Sequence, residues 1–204
     1  LKSELEKTYC IANLESPIIN ENEVEFNDQY FFGSKSLLEK VSFVNFFSLA
    51  NNHIYDYNLE GLVSTVTFLE QKKIEYCGVY TNQYQPKEIK IEGLTKTLRV
   101  YCCTDFSNID PNNNDSIKIN FTDKESIKKS LKFTSNSFNV VYLHGGIMFK
   151  KYPNPNLRFL CKELVEYGAD LVAVVHSHVN GGYELHKDKL ICYSLGDFIM
   201  DGNS

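Results

Sequence analysis

The 204-residue sequence predicts an α/β fold, and three observations support this prediction. Short apolar runs typical of buried strands alternate with segments whose apolar residues follow helical spacing. Hydrophobic residues make up 43% and charged residues 23% of the chain, which is typical of globular proteins. Polar residues directly follow most of the predicted strands. We expect a single domain over residues 1–204 without internal repeats.

The first third of the chain predicts two strands and two helices. Residues Thr8–Ala12 form a β-prone run that ends before Pro17, because proline cannot continue a central ladder. A short helix is expected over Lys35–Lys40, after a serine that can cap it. The run Phe43–Leu49 is almost entirely apolar, as expected for a strand buried on both faces. Apolar residues at helical spacing then predict an amphipathic helix over Leu59–Lys72.

The rest of the chain continues the alternation of strands and helices. Apolar runs predict further strands at Glu75–Val79, Leu98–Thr104, Phe138–Leu143, Asp170–Val175 and Lys189–Leu195. The capping-box spacing of Thr122 and Glu125 predicts a helix that runs to about Lys132. Another helix is predicted around Leu157–Val165 and is closed by Gly168.

Composition argues against several classes of protein. The net charge is −5 and no basic stripe is present, which disfavours nucleic-acid binding. No apolar run approaches the roughly 20 residues that span a bilayer, so no transmembrane segment is expected within this chain. The six cysteines lack C-x-x-C spacing, so we expect buried thiols rather than disulfides or zinc ligands. This cysteine usage favours the cytoplasm, and a surface location stays open if an N-terminal anchor was removed.

Polar residues that can carry chemistry gather at the ends of the predicted strands. They are Glu15, Asn51, Asn52, His53, His144, His176, His178 and Asp197. Ligands of α/β sheets bind beyond the carboxyl ends of the strands, so we expect these side chains to converge on one site. Two other features are expected to be structural: Phe31 and Phe32 in the core, and His186 on the surface.

Each of these motifs has a functional and an ordinary interpretation. His176 and His178 project to the same face if their segment is extended, which would allow both to bind metal, but they could also be polar loop residues. His144 could be a metal ligand with room provided by Gly145, or a residue that caps a tight turn. Glu15 could bridge two cations or be a solvated loop carboxylate.

The block Asn51-Asn52-His53 is more informative. Asparagine oxygens suit divalent ions, and a histidine that is not itself bound to metal can act as a general acid. Asp56 lies three residues after His53 and could orient its imidazole. The alternative is an ordinary turn between a strand and a helix, for which asparagine is also well suited.

The order of these motifs resembles the CapA-like capsule synthesis family, also called PGA_cap or PgsA, of the calcineurin-like metallophosphoesterase superfamily. The motifs are Asn-Leu-Glu-x-Pro, Leu-Ala-Asn-Asn-His-x-x-Asp, His-Gly-Gly, Gly-Ala-Asp with His-x-His, and Tyr-Ser-Leu-Gly-Asp-Phe, from about Thr8 to Asp201. The resemblance implies a four-layer α/β/β/α sandwich with a dinuclear metal centre. Mixed nitrogen and oxygen ligands suit one or two ions of Mn, Fe or Zn better than Ca.

The resemblance also implies roles for individual residues. The implied metal ligands are Glu15, Asn52, His144, His176 and His178. Glu15 would bridge the two ions, His178 would bind the first ion, and the other three would complete the second. His53 would act as the catalytic acid with Asp56 as its partner. Asn51 and Gly145 would lie beside the ligands or the substrate.

Two departures from the family pattern accompany the resemblance. Family members carry a Gly-Asp strand before the Asn-Leu-Glu block, and its aspartate binds the first ion. No aspartate precedes Thr8, so we expect an N-terminally incomplete domain that lacks its first strand. Asp197 stands where the family usually has asparagine, and it could be a ligand or a partner of one.

The function implied by the resemblance is metal-dependent hydrolysis in the synthesis of a capsule or surface polymer such as poly-γ-glutamate. A metal-bound hydroxide would attack the substrate, and His53 would protonate the leaving group. The expected partners are an anionic polymer or a phosphorylated substrate, together with the capsule-synthesis machinery. The alternative is a non-catalytic accessory component with a degenerate metal site.

Overall fold

The computed structural model describes residues 2–20, 30–105, 115–131 and 136–199. The chain divides into two compact units, and each unit combines two separate stretches of sequence. The first unit comprises Leu1–Tyr84 and Phe106–Phe121, and the second comprises Gln85–Asp105 and Thr122–Ser204. The expectation of a single domain stays a prediction.

The first unit contains a three-stranded parallel sheet. Its described elements, in chain order, are α1 (Lys2–Leu5), β1 (Cys10–Asn13), α2 (Lys35–Lys40), β2 (Val44–Ser48), α3 (Asn58–Lys72), β3 (Glu75–Cys77), β4 (Val79–Tyr80) and, from the second stretch, β7 (Lys118–Ile119). The sheet order is β1-β2-β3, and β4 pairs with β7 in a separate antiparallel ladder. Among residues 2–9 the structure places a short helix and no strand.

The three parallel strands of the first unit end level with one another. Asn13 pairs with Ser48, and Ser48 pairs with Cys77. The residues that follow these positions therefore leave the sheet at the same edge. The predicted strand Glu75–Val79 is interrupted at Gly78, which has φ +104° and ends β3.

The backbone of Gly78, at the end of β3, packs closely against Ala50. A Cβ atom there would lie 2.5 Å from the backbone nitrogen of Ala50. We expect Gly78→Ala to lower the free energy of unfolding by about 2–5 kcal/mol, because backbone strain and overpacking add together. Gly93→Ala is the matched control, since Gly93 also has positive φ but nothing lies within 4 Å of its added Cβ. Equal urea midpoints for the two variants would contradict the packing argument.

The second unit is built on a six-stranded mixed sheet of order β10-β11-β9-β8-β6-β5. Its described elements are β5 (Lys87–Ile89), β6 (Thr97–Thr104), α4 (Lys124–Leu131), β8 (Ser137–His144), α5 (Pro155–Glu166), β9 (Leu171–Val175), β10 (Tyr183–His186) and β11 (Lys189–Cys192). The inner strands β6, β8, β9 and β11 are parallel, and the edge strands β5 and β10 are antiparallel to their neighbours.

The parallel strands of the second unit also end level. Thr104 pairs with His144, and His144 pairs with Val175. His144 therefore lies at the same edge of the sheet as the residues that follow β6 and β9. The helix α5 buries Leu157, Leu160, Cys161, Leu164 and Val165, which are the residues at helical spacing in the sequence.

One predicted helix start is wrong by a residue. The helix α4 begins at Lys124, and Asp123 rather than Thr122 caps it. The Asp123 carboxylate accepts hydrogen bonds from the Glu125 backbone amide at 3.1 Å and the Ser126 hydroxyl at 2.6 Å. Thr122 is held elsewhere, because its amide donates to the Thr104 carbonyl at the end of β6.

Four of the six cysteines are buried, as the sequence predicts, and Cys10 and Cys192 are only partly buried. All six lie in the described ranges, and none of them forms a disulfide. Burial raises the pKa of the Cys161 thiol to about 12, with a further contribution from the charge of Asp105. In the described part of the chain, no helix is both long and apolar enough to cross a membrane.

Candidate functional site

Asn51 is the centre of a hydrogen-bonded frame in the first unit. Its side chain is fully buried. Its Nδ2 donates to Asn13 Oδ1 at 3.1 Å and to the Leu14 carbonyl at 2.9 Å. Its Oδ1 accepts from the backbone amides of His53 at 3.1 Å and Ile54 at 2.8 Å. Asn51 therefore ties the end of β1 to the loop after β2.

Glu15 joins this frame through Asn13. The Nδ2 of Asn13 donates to Glu15 Oε2 at 2.8 Å. Asn52 lies between Asn51 and His53 in the loop after β2 and is 8% exposed. The first unit thus brings both predicted oxygen ligands to the edge where its strands end. Asn13 was not selected from the sequence, although it occupies the last position of β1.

His53 and Asp56 form an imidazole–carboxylate pair in the same loop. His53 Nδ1 lies 2.8 Å from Asp56 Oδ2, and the side chains are 20% and 1% exposed. Asp56 Oδ2 also accepts the backbone amide of Phe31 at 2.9 Å. A carboxylate oxygen accepts hydrogen bonds, so Nδ1 is assigned as the donor of this pair.

The expectation that Phe31 lies in the core is wrong. Its ring is 51% exposed and stands edge-on to the His53 ring at a centroid distance of 4.5 Å. The bond from its amide to Asp56 holds the backbone at the loop surface. Phe32, which is partly buried, packs against Tyr57 at 6.0 Å.

His144 and His176 lie side by side in the second unit. Their ring centroids are 4.8 Å apart, and the residues are 0% and 8% exposed. One ring nitrogen of each lies within 4.8 Å of the other. Two metal–nitrogen bonds of about 2.1 Å separate their nitrogens by at most about 4.2 Å, so small ring rotations would suffice for both to bind one ion. Buried neighbouring imidazoles at a strand edge therefore fit a divalent metal ion.

The segment His176-Ser177-His178 is not extended, which corrects the geometric prediction. His176 has φ +117° and His178 has φ +58°, because the chain turns sharply where it leaves β9. The turn still leaves the two ring centroids only 5.9 Å apart. Positive φ at a residue other than glycine is strained and is frequent at functional sites.

Side chains from the end of β11 hold this turn in place. His178 Nδ1 lies 2.9 Å from Asp197 Oδ1, so Asp197 orients the His178 ring. The hydroxyl of Ser177 donates to the Ser194 hydroxyl at 2.6 Å. Phe149 stacks obliquely near His178 at 6.0 Å and is 69% exposed.

Asp105 is a carboxylate at this edge that sequence reasoning missed. Its amide donates to the His144 carbonyl at 2.9 Å. A Cβ on Gly145 would lie 2.6 Å from Asp105 Oδ2, so the space at this glycine is filled by Asp105. Partial desolvation of the carboxyl raises its pKa, and a hydrogen bond with Thr122 opposes the shift. The rule that selected Glu15, a carboxylate just after a strand, would have found it.

Comparison with known proteins decides the family. The profile described as "Bacterial capsule synthesis protein PGA_cap" matches residues 1–202. The chain belongs to this family. This PGA_cap chain is 24% identical over 208 residues to "Capsule biosynthesis protein CapA" of Bacillus anthracis, covering 95% of the chain and 50% of the relative. It is also 24% identical over 203 residues to "PGA biosynthesis protein CapA" of Bacillus subtilis (strain 168), covering 95% and 53%.

The PGA_cap chain thus spans about half the length of these curated relatives. Among solved structures it resembles a "Putative 5'-Nucleotidase from Staphylococcus aureus in complex with alpha-ketoglutarate". The TM-score is 0.54 at 18% identity, over 79% of this chain and 34% of that one. This similarity confirms the predicted fold class, an α/β fold of the metallophosphoesterase type.

Proposed function

We propose that this PGA_cap chain is a metal-dependent hydrolase that cleaves a phosphate ester in capsule or surface-polymer synthesis. The observation that carries the proposal is the His53–Asp56 pair. A partly exposed imidazole tied at 2.8 Å to a buried carboxylate is the arrangement of a general acid, because the carboxylate orients the ring and stabilises its imidazolium form. The CapA names of the relatives and the fold of the metallophosphoesterase type support the biological setting and the bond cleaved.

The proposed metal ligands are those that the family resemblance implies. Glu15 and Asn52 would supply oxygen atoms, and His144, His176 and His178 would supply ring nitrogens. Such mixed ligands suit Mn, Fe or Zn, in one or two sites. When bound, the metal would supply Lewis acidity and stabilise negative charge on the substrate.

The chain's own residues would perform the remaining steps. In its imidazolium form His53 would donate the Nε2 proton to the departing ester oxygen and keep the proton on Nδ1, so that the oxygen does not leave as an anion. Asp56 would hold Nδ1 and stabilise the imidazolium form of His53. Asp197 would keep the His178 ring in a fixed orientation through the 2.9 Å contact to its Nδ1.

The decisive experiment uses metal-stripped protein reconstituted separately with Mn²⁺, Fe²⁺ and Zn²⁺. Bound metal is counted by elemental analysis, and hydrolysis is measured on aryl phosphate monoesters and diesters and on poly-γ-glutamate. We expect one or two ions per chain and metal-dependent release of the aryl alcohol. Hydrolysis of poly-γ-glutamate without hydrolysis of the aryl phosphates would mean that the bond cleaved is an amide and not a phosphate ester. Bound metal without any hydrolysis would favour the accessory role.

A further inference from the structure

We propose that Asn13 is a positioning residue that sets the orientation of the Glu15 carboxylate through a chain of side-chain amides. This series of hydrogen bonds runs from the His53 backbone amide through the side chains of Asn51 and Asn13 to the Glu15 carboxylate. The inference rests on the proposed function in one respect, since it takes Glu15 as a metal ligand. The family resemblance assigned no role to Asn13.

The backbone amides at one end of this hydrogen-bond series determine which atom donates and which accepts in every bond that follows. The backbone amides of His53 and Ile54 can only donate, so the Asn51 oxygen must be the atom that accepts from them. The Asn51 nitrogen must then be the donor on its other side. The Leu14 carbonyl, which can only accept, lies 2.9 Å from that nitrogen and agrees with this orientation.

The same logic extends to Asn13. Its oxygen accepts from Asn51, so its nitrogen is the atom that faces Glu15 Oε2 at 2.8 Å. A carboxylate oxygen can only accept this bond. The donor and acceptor roles are therefore consistent from the His53 amide to the Glu15 carboxylate. An amide is the only common side chain of this size that can accept from one neighbour and donate to the next in fixed directions.

The consequence for Glu15 is loss of rotational freedom before any ion binds. Glutamate is a flexible side chain, and holding it in one orientation beforehand removes part of the entropy cost of binding. Asn13 is itself attached to Asn51, which is fully buried and makes four hydrogen bonds. Glu15 is thus oriented by a rigid part of the fold rather than by the ion.

The test compares metal affinity in Asn13→Ala and in wild-type protein. Mn²⁺ and Zn²⁺ are titrated into metal-stripped samples with a competing chromophoric chelator. We expect Asn13→Ala to weaken binding by about 10–100-fold, the usual effect of losing a residue that orients a ligand. Glu15→Gln and the double variant complete a cycle, and the double variant should bind no more weakly than Glu15→Gln alone.

Asn45→Ala is the matched control. Asn45 also joins β1 to β2, because its Oδ1 accepts from the Cys10 amide at 2.8 Å, but at the opposite end of the strand. We expect this variant to melt at a lower temperature and to keep wild-type metal affinity. A similar loss of affinity in Asn45→Ala would assign the Asn13 effect to general loosening of the sheet and would overturn the inference.

The remaining outcomes separate the inference from the proposed function. Asn13→Ala that binds metal within twofold of wild type would overturn the inference and leave the function standing. A further loss of affinity on adding Asn13→Ala to Glu15→Gln would also overturn it, because Asn13 would then act without Glu15. Wild-type protein that binds no divalent ion would overturn both.

Discussion

Replacing His53 by alanine is expected to lower kcat for phosphate-ester hydrolysis by about 10²–10⁴-fold, the usual contribution of a general acid. The Nε2 atom of His53 is the proposed proton donor, and Nδ1 of the same ring lies 2.8 Å from Asp56 Oδ2. Metal content should stay unchanged, because His53 is not one of the proposed ligands. The measurements are steady-state kinetics on an aryl phosphate and elemental analysis of the same sample.

Two further variants make this result specific. Asp56→Asn should lower kcat as well, since a neutral amide does not stabilise the imidazolium form of His53 as a carboxylate does. His186→Ala is the matched control, because His186 also contacts a carboxylate, Glu166, at 2.9 Å but lies on the β10 edge strand. Undiminished activity in His53→Ala would remove the acid role from this residue.

Replacing His176 by alanine is expected to weaken divalent-metal binding by more than about 100-fold, since loss of an orienting partner alone costs about 10–100-fold. His176 lies beside His144, and both rings are nearly inaccessible to solvent. Loss of one imidazole from such a pair leaves the other without its proposed co-ligand. Metal affinity that stays at the wild-type value would show that this pair is structural.

A second substitution at this position separates function from backbone strain. His176→Gly removes the same imidazole but tolerates φ +117°, whereas alanine does not. We expect the glycine variant to be more stable than the alanine variant by about 1–2 kcal/mol in metal-free protein. Chemical denaturation of both variants measures the difference. Equal stability would mean that the turn relaxes once the histidine is gone.

Much of the fold followed from simple patterns in the sequence. The helix over Asn58–Lys72 and the buried face of Pro155–Glu166 were visible in the spacing of leucines and valines. The helix predictions succeeded because local periodicity determines them. The rule that polar residues gather beyond strand ends predicted one site, and the structure places Asn51 beside the His53 amide and His144 beside His176. Convergence of all these residues on one site stays a prediction.

Other features depend on contacts that no local pattern records. The positive φ of His176 occurs in a turn that is held by the hydrogen bond between the hydroxyls of Ser177 and Ser194. In the sequence Asn13 is an ordinary strand residue, and its role depends on a hydrogen bond from Asn51, which lies 38 positions further along. Phe31 is apolar like a core residue, yet its ring is exposed while its backbone amide donates a hydrogen bond to Asp56 Oδ2.

The interleaving of the two units has a consequence for how the chain must fold during synthesis. Neither unit is one continuous stretch, since β7 returns to the first unit after β5 and β6 have entered the second. The first unit therefore cannot close its β4–β7 ladder until Ile119 has been made. The ribosome adds about 5–20 residues per second, so β6 would wait seconds for its partner β8. A cut after Tyr84 would keep the whole second unit but would carry with it Phe106–Phe121, which belongs to the first.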